Sequence, residues 1–173
     1  MKKTVLRYGL FSCIALVVMS ILGLVIFGNP DTPNYTAHEV FGYTTMILSM
    51  VFVFFGIKHY RDQVNGGMLS FGKGMKVGLL IVLIPSVAFG LFNLIYTGAI
   101  DPEFMDKYYQ HQLSQMQQRM TPGEFNAARA TMEKQKEMFS NPVLQFLVMG
   151  LTVFVIGVIA SVISSLVLKR RVG

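Results

Sequence analysis

The sequence predicts an all-α polytopic membrane protein with four transmembrane helices and an extracytoplasmic helical hairpin. Three observations predict it. Stretches 8–30, 40–57, 77–100 and 138–168 hold no charged residue, and each approaches or exceeds the about 20 residues that a helix needs to cross roughly 30 Å of hydrocarbon. Hydrophobic residues make up 53% of the 173 and charged residues only 14%, with a mean hydropathy of +0.52, so neither a soluble globular domain nor a disordered chain fits. The basic residues are also sorted, and the sorting orients the spans.

Lys2, Lys3 and Arg7 precede the first span; Lys58, Arg61, Lys73 and Lys76 lie between the second and third; Lys169, Arg170 and Arg171 follow the fourth. One acid, Asp62, stands among these ten bases, a balance of +9, whereas the two remaining connections balance to −3. This is the positive-inside bias. It puts both termini and the loop at about 59–74 in the cytoplasm and the hairpin at about 101–140 outside. Membrane sorting accounts for the pI of about 9.6, and no nucleic-acid partner is called for.

The spans are expected at about 6–28, 38–58, 75–97 and 143–168, in a single membrane domain over 1–173. The first is read as a retained helix rather than a cleaved signal, because its apolar run is long and Phe27-Gly28-Asn29-Pro30 lacks small residues at a cleavage spacing. Thr36-Ala37-His38-Glu39 has capping-box spacing, so a second helix is expected from Thr36 to about Tyr60. Asn65-Gly66-Gly67 reads as a turn and Ser70 as the cap of a third helix, which carries Pro85 and a kink at mid-span. Asp101-Pro102-Glu103 and Thr121-Pro122-Gly123-Glu124 read as cap, proline and acid, starting polar helices at 102–120 and 122–139. Asn141-Pro142 caps the fourth span.

Met1 to Gly9, the block Phe54-Phe55-Gly56-Ile57-Lys58-His59-Tyr60-Arg61-Asp62, then Gly66-Gly67, Ser70-Phe71-Gly72-Lys73 and Leu168-Lys169-Arg170-Arg171 resemble domain-of-unknown-function family 4199. That is an uncharacterised family of small bacterial membrane proteins, and the likeness covers essentially the whole chain. The resemblance implies a bacterial inner-membrane protein and supplies no activity, cofactor or catalytic position.

No Asp, Glu, Lys, Arg or His lies in the interior of a span, which argues against a proton-coupled pump or a carrier of charged solutes. Ser20, Thr44, Thr45, Ser49, Ser86, Asn93, Ser161, Ser164 and Ser165 are expected to hydrogen-bond between helices. Gly74-x-x-x-Gly78 and Gly157-x-x-x-Ser161-x-x-x-Ser165 have the spacing of closely approaching backbones, either within the chain or between copies. Lys58, Arg61, Ser70, Lys73 and Lys76, beside the Gly66-Gly67 N–H groups, are candidates for contact with an anion or lipid headgroup. Plain positive-inside anchoring, with Lys58 pairing Asp62 one turn on, explains the same residues and is preferred. Met105, Tyr109, Leu113, Met116 and Met120 form a stripe to be covered by the second hairpin helix, by the membrane surface or by a protein partner.

His38, Glu39, Asp31 and His111 lack metal-ligand spacing, and the methionines read as packing rather than copper(I) ligands, so no metal or cofactor is expected. Cys13 cannot form an intramolecular bridge and lies at span depth, and no nucleophile motif is present. The expected role is non-enzymatic, an interaction or envelope-associated component whose partners are membrane lipids and a protein partner or a second copy. A small oligomeric transporter or channel subunit is the alternative. A lipid-modifying enzyme would have only His38, Glu39 and Asp31 at the interface to work with.

Overall fold

The computed structural model describes residues 1–27 and 35–170; Asp31 and Arg171 lie outside these. Helix α1 is Lys2–Phe27, α2 Tyr35–Ser49, α3 Val51–His59, α4 Phe71–Ile95, α5 Phe104–Gln117, α6 Pro122–Phe139 and α7 Pro142–Leu168. One π-helical turn, Tyr60–Val64, extends α3, and another, Tyr96–Ile100, extends α4. Among the described residues there is no β-strand. Four helical stretches are long and apolar enough to cross a membrane: Lys2–Phe27, Tyr35–Val64, Phe71–Ile100 and Pro142–Leu168. At about 1.5 Å per residue, the 26 residues of α1 alone exceed a hydrocarbon core.

The helix starts follow local chemistry with two exceptions. Ser70 Oγ accepts the Lys73 N–H at 3.4 Å at the head of α4, and Asn141 Oδ1 accepts the Val143 N–H at 2.9 Å at the head of α7. Thr121 heads α6, where Glu124 Oε2 accepts from the Thr121 N–H at 3.0 Å and from its hydroxyl at 2.7 Å. Thr36, in contrast, already lies inside α2, which is wound from Tyr35. Asp101 does not cap α5 either. The chain is still wound as a π turn through Ile100, the Asp101 N–H donates to Tyr96 O at 2.8 Å, and α5 begins only at Phe104. The Asp101 carboxylate turns instead to Lys107 Nζ, 3.2 Å away.

The second span, expected as one helix, is interrupted at Met50. There the Val53 N–H bonds Met50 O at 2.9 Å, a tightened three-residue step. The Ser49 carbonyl thereby loses its helical donor, and the Ser12 hydroxyl of α1 donates to it at 2.9 Å. One buried side chain thus repairs the backbone of a neighbouring helix.

The chain packs as two compact units, Met1–Phe89 with Met149–Gly173, and Gly90–Val148. In the first, Leu16, Val53, Ile57, Val77, Ile81, Val82 and Val153 are fully buried. Its tightest seam joins α4 to α7, antiparallel, stepping four residues forward on one helix and four back on the other. A β-carbon on Gly74 would lie 2.7 Å from Ser165 Oγ, one on Gly78 would lie 2.6 Å from Ser161 Oγ, and one on Gly157 would overlap Val82. Both small-residue motifs therefore face each other inside the chain. In the second unit a β-carbon on Gly90 would meet Phe146 O at 2.9 Å, so the outer parts of the same helices also approach closely.

Replacing Gly78 with Val should lower stability in mild detergent by roughly 1–3 kcal/mol, the usual cost of overpacking. Gly42→Ala, at a position with nothing within 4 Å, is the control. Equal thermal midpoints for the two variants would show the seam to be looser than described.

Candidate functional site

The loop at about 59–74 was the foremost candidate, and its side chains are engaged internally. The π turn at Tyr60–Val64 closes on the Asn65 N–H, which donates to Tyr60 O at 2.9 Å. Gly66 and Gly67 follow with φ of +63° and +79°, a left-handed conformation that a β-carbon would strain. The Gly67 N–H, a candidate anion donor, goes to Arg61 O at 2.8 Å. Arg61 is held by Asp62, its Nε 2.6 Å from Oδ1 and its Nη2 3.1 Å from Oδ2, so the two-pronged face suited to phosphate already grips a carboxylate. Asp62 therefore takes Arg61 as its hydrogen-bonded partner rather than Lys58.

The remaining prong of Arg61 is directed at the end of α7. Nη1 lies 3.4 Å from Leu168 O, one of the carbonyls a helix leaves without a donor at its C-terminus. Immediately beyond, Leu69 and Arg170 exchange both backbone hydrogen bonds at 2.9 Å, an isolated antiparallel bridge. Leu69 is fully buried and Arg61 has 18% of its side chain exposed. Lys73 Nζ reaches Asn65 Oδ1 at 3.4 Å, while Lys58, Ser70, Lys73 and Lys76 are exposed. The group is a clasp between the loop and the chain following α7, with its lysines on the outside.

In the hairpin, the stripe expected on α5 is graded. Tyr109 is buried at 8% exposure, Met105, Leu113 and Met116 are half-buried, and Met120 is exposed. Met132 on α6 is likewise buried, and an ion pair between Asp106 Oδ1 and Lys136 Nζ, 2.5 Å apart, links the two helices. Lys107 bridges Asp101 and Glu103, which hold its ammonium above the ordinary lysine range. Burial pushes the Tyr109 phenol up. The two hydrogen bonds from Thr121 hold the Glu124 carboxyl below the usual carboxylate range.

Other candidates lie apart. His38 is half-buried beside Phe27, with ring centroids 6.5 Å apart, and His111 sits on α5. Among the described residues no three His, Cys, Asp or Glu side chains are grouped to hold a metal ion. Sequence reasoning passed over Gln145, buried at 5% exposure and hydrogen-bonded to Thr97. Its signal was an amide, harder to bury than a hydroxyl, inside the charge-free run 138–168.

Two tests follow. Arg61→Lys keeps the charge but loses the fork, so tryptic cleavage after Lys169 and Arg170 should accelerate in mild detergent; an unchanged time course would remove Arg61 from the clasp. At α6, a depressed folded pKa means that the Glu124 contribution is complete above its unfolded value and is lost as pH falls through the folded one. Amide exchange at Phe125, normalised to its intrinsic rate, should therefore rise on acidification in wild type and be pH-independent in Glu124→Gln. Parallel profiles in the two proteins would refute this.

Neither a curated protein nor a solved structure matches the chain. Residues 7–170 match the family described as "Protein of unknown function (DUF4199)", a span that takes in α1 from Arg7 onward, the other apolar helices, the clasp and the hairpin. With four helices able to cross a membrane and a family match over nearly its full length, the chain belongs to the DUF4199 family.

Proposed function

We propose that this is a multi-pass protein of the bacterial inner membrane, with its termini and the 59–74 loop in the cytoplasm and the hairpin outside, serving as a non-enzymatic interaction or envelope-associated component. The orientation rests on the +9 and −3 division of charge. The observation that carries the role is where the hydroxyls of the spans point. Ser12 donates to Ser49 O, Ser20 to Leu16 O, Ser49 to Met46 O, Ser86 to Val82 O and Ser161 to Gly157 O. Only Ser12 bridges two helices; Ser20, Ser49, Ser86 and Ser161, expected to bond between helices, turn back to carbonyls three or four residues earlier in their own, the nearest acceptors a hydroxyl has in an apolar span. Hydroxyls occupied in this way support a packed bundle over a lined path.

The hairpin supports the same reading, because it is ordered by caps, ion pairs and a buried Tyr109 and Met132 while displaying a polar surface and Met120. A small oligomeric transporter or channel subunit remains the competing role, and it would need the serines turned away from their carbonyls. Flux through proteoliposomes containing the purified protein would decide for it.

Reporter fusions after Gly67 should be active only in their cytoplasmic form, and fusions near Thr121 only in their exported form. An exported signal after Gly67 would overturn the topology.

A further inference from the structure

The unit Gly90–Val148 contains a cavity of about 350 Å³, several times the roughly 30 Å³ share of one water and at the small end of the about 300–1,000 Å³ typical of ligand sites. Leu94, Met105 and Phe139 give it an apolar wall, and Thr97, Gln145 and the Asp106–Lys136 pair a polar one. It lies where the apolar stretches of α4 and α7 meet the polar hairpin.

Gln145 is the informative residue. Its Nε2 donates to Thr97 Oγ1 at 2.9 Å, and Thr97 Oγ1 lies 3.0 Å from Asn93 O and 3.3 Å from Gln145 Oε1. A threonine hydroxyl has one proton, and the shorter contact, back to the carbonyl four residues earlier, takes it. Gln145 Oε1 is then left without a donor, and its second N–H has no acceptor among the described residues. A buried amide in that condition is costly, and it lines a space large enough for more than water. The missing partner must both donate and accept. Asp106 and Lys136 bring one acidic and one basic group to the same lining, so a group that carries both charges can pair with each.

We propose that the cavity holds the headgroup of a zwitterionic phospholipid bearing N–H donors, of the phosphatidylethanolamine type. Its ammonium donates to Gln145 Oε1 and the Asp106 carboxylate, its phosphate accepts from Lys136 and from the free amide N–H, and its glycerol end meets Leu94, Met105 and Phe139. A phosphatidylcholine head has no N–H to give, and a phosphatidylglycerol head is a net anion. The proposal rests on the membrane reading above, which places this cavity at the edge of the bilayer.

The test is native mass spectrometry of the full chain in mild detergent with equal amounts of phosphatidylethanolamine, phosphatidylcholine and phosphatidylglycerol. Wild type should retain the first over the second by about tenfold, the factor given by one hydrogen bond to a charged group. Gln145→Leu should lose that preference, and so should Asp106→Asn, whose side chain is exposed and keeps the proposal testable if Gln145→Leu does not fold, whereas Lys136→Gln should weaken retention of both lipids alike. Equal retention of the three lipids, or an unchanged preference in Asp106→Asn, overturns the site and leaves the cavity to water. Displacement by glycerophosphoethanolamine at equal concentration overturns the lipid as occupant in favour of a free headgroup. A cytoplasmic reporter signal near Thr121 would overturn the topology alone, since the preference is measured without a bilayer.

Discussion

The close approach of α4 to α7 is the constraint on which the first unit depends. Lipid tails are as apolar as leucine, so burying hydrophobic side chains between spans gains little over leaving them in the bilayer, and contact must come from packing. Packing that dense needs backbones near each other. Gly74 opposite Ser165, Gly78 opposite Ser161 and Gly157 opposite Val82 provide it. Gly56 against Ile81 and Gly9 against Ile84 bring α3 and α1 to the same helix, so α4 is the hub of this unit. Ser165 Oγ, buried without a hydrogen-bond partner, sits in the seam against Gly74, where its small size matters more than its hydroxyl.

A second constraint follows from the same solvent. In hydrocarbon no water satisfies a stray carbonyl, so every irregularity in a spanning helix must be repaired from within. The chain repairs the step at Met50 with the Ser12 hydroxyl and meets Leu168 O with Arg61. The π turns at Tyr60–Val64 and Tyr96–Ile100 end α3 and α4 by widening the hydrogen-bonded ring rather than by breaking it. In this light the candidates in the 59–74 loop change character. A guanidinium that meets a helix end and grips Asp62 has its partners within the chain.

The fold was legible because hydrophobicity and charge are summed over whole segments, and sums tolerate local error. Four charge-free runs became four apolar helical stretches, and the caps at Ser70, Thr121 and Asn141 formed because each needs only its immediate neighbours. Asp101 misled for the opposite reason: whether it caps α5 depends on how α4 ends, and the π turn could not be read from composition. The partner of Asp62 was missed on similar grounds. Helical spacing favoured Lys58, whereas the widened turn puts Arg61 beside it. The small-residue motifs were visible but their mates were not, since four-residue spacing says that a backbone approaches and not which one.

Gln145 shows what segment averages conceal. In a run of 31 residues without charge, one amide hardly changes the mean hydropathy, yet its burial imposes a demand that the chain meets only in part. The two units differ in how they treat polar atoms. In the first, the hydroxyls of Ser12, Ser86 and Ser161 close on carbonyls of neighbouring turns or helices, which fixes geometry and leaves little to recognise a ligand. In the second, an amide with spare hydrogen-bonding capacity and a carboxylate–ammonium pair line a common cavity. Selectivity requires polar groups that are better satisfied by one molecule than by another, which is why the proposed site lies at Gln145 rather than in the basic loop, where Arg61 and the Gly67 N–H already have partners within the chain.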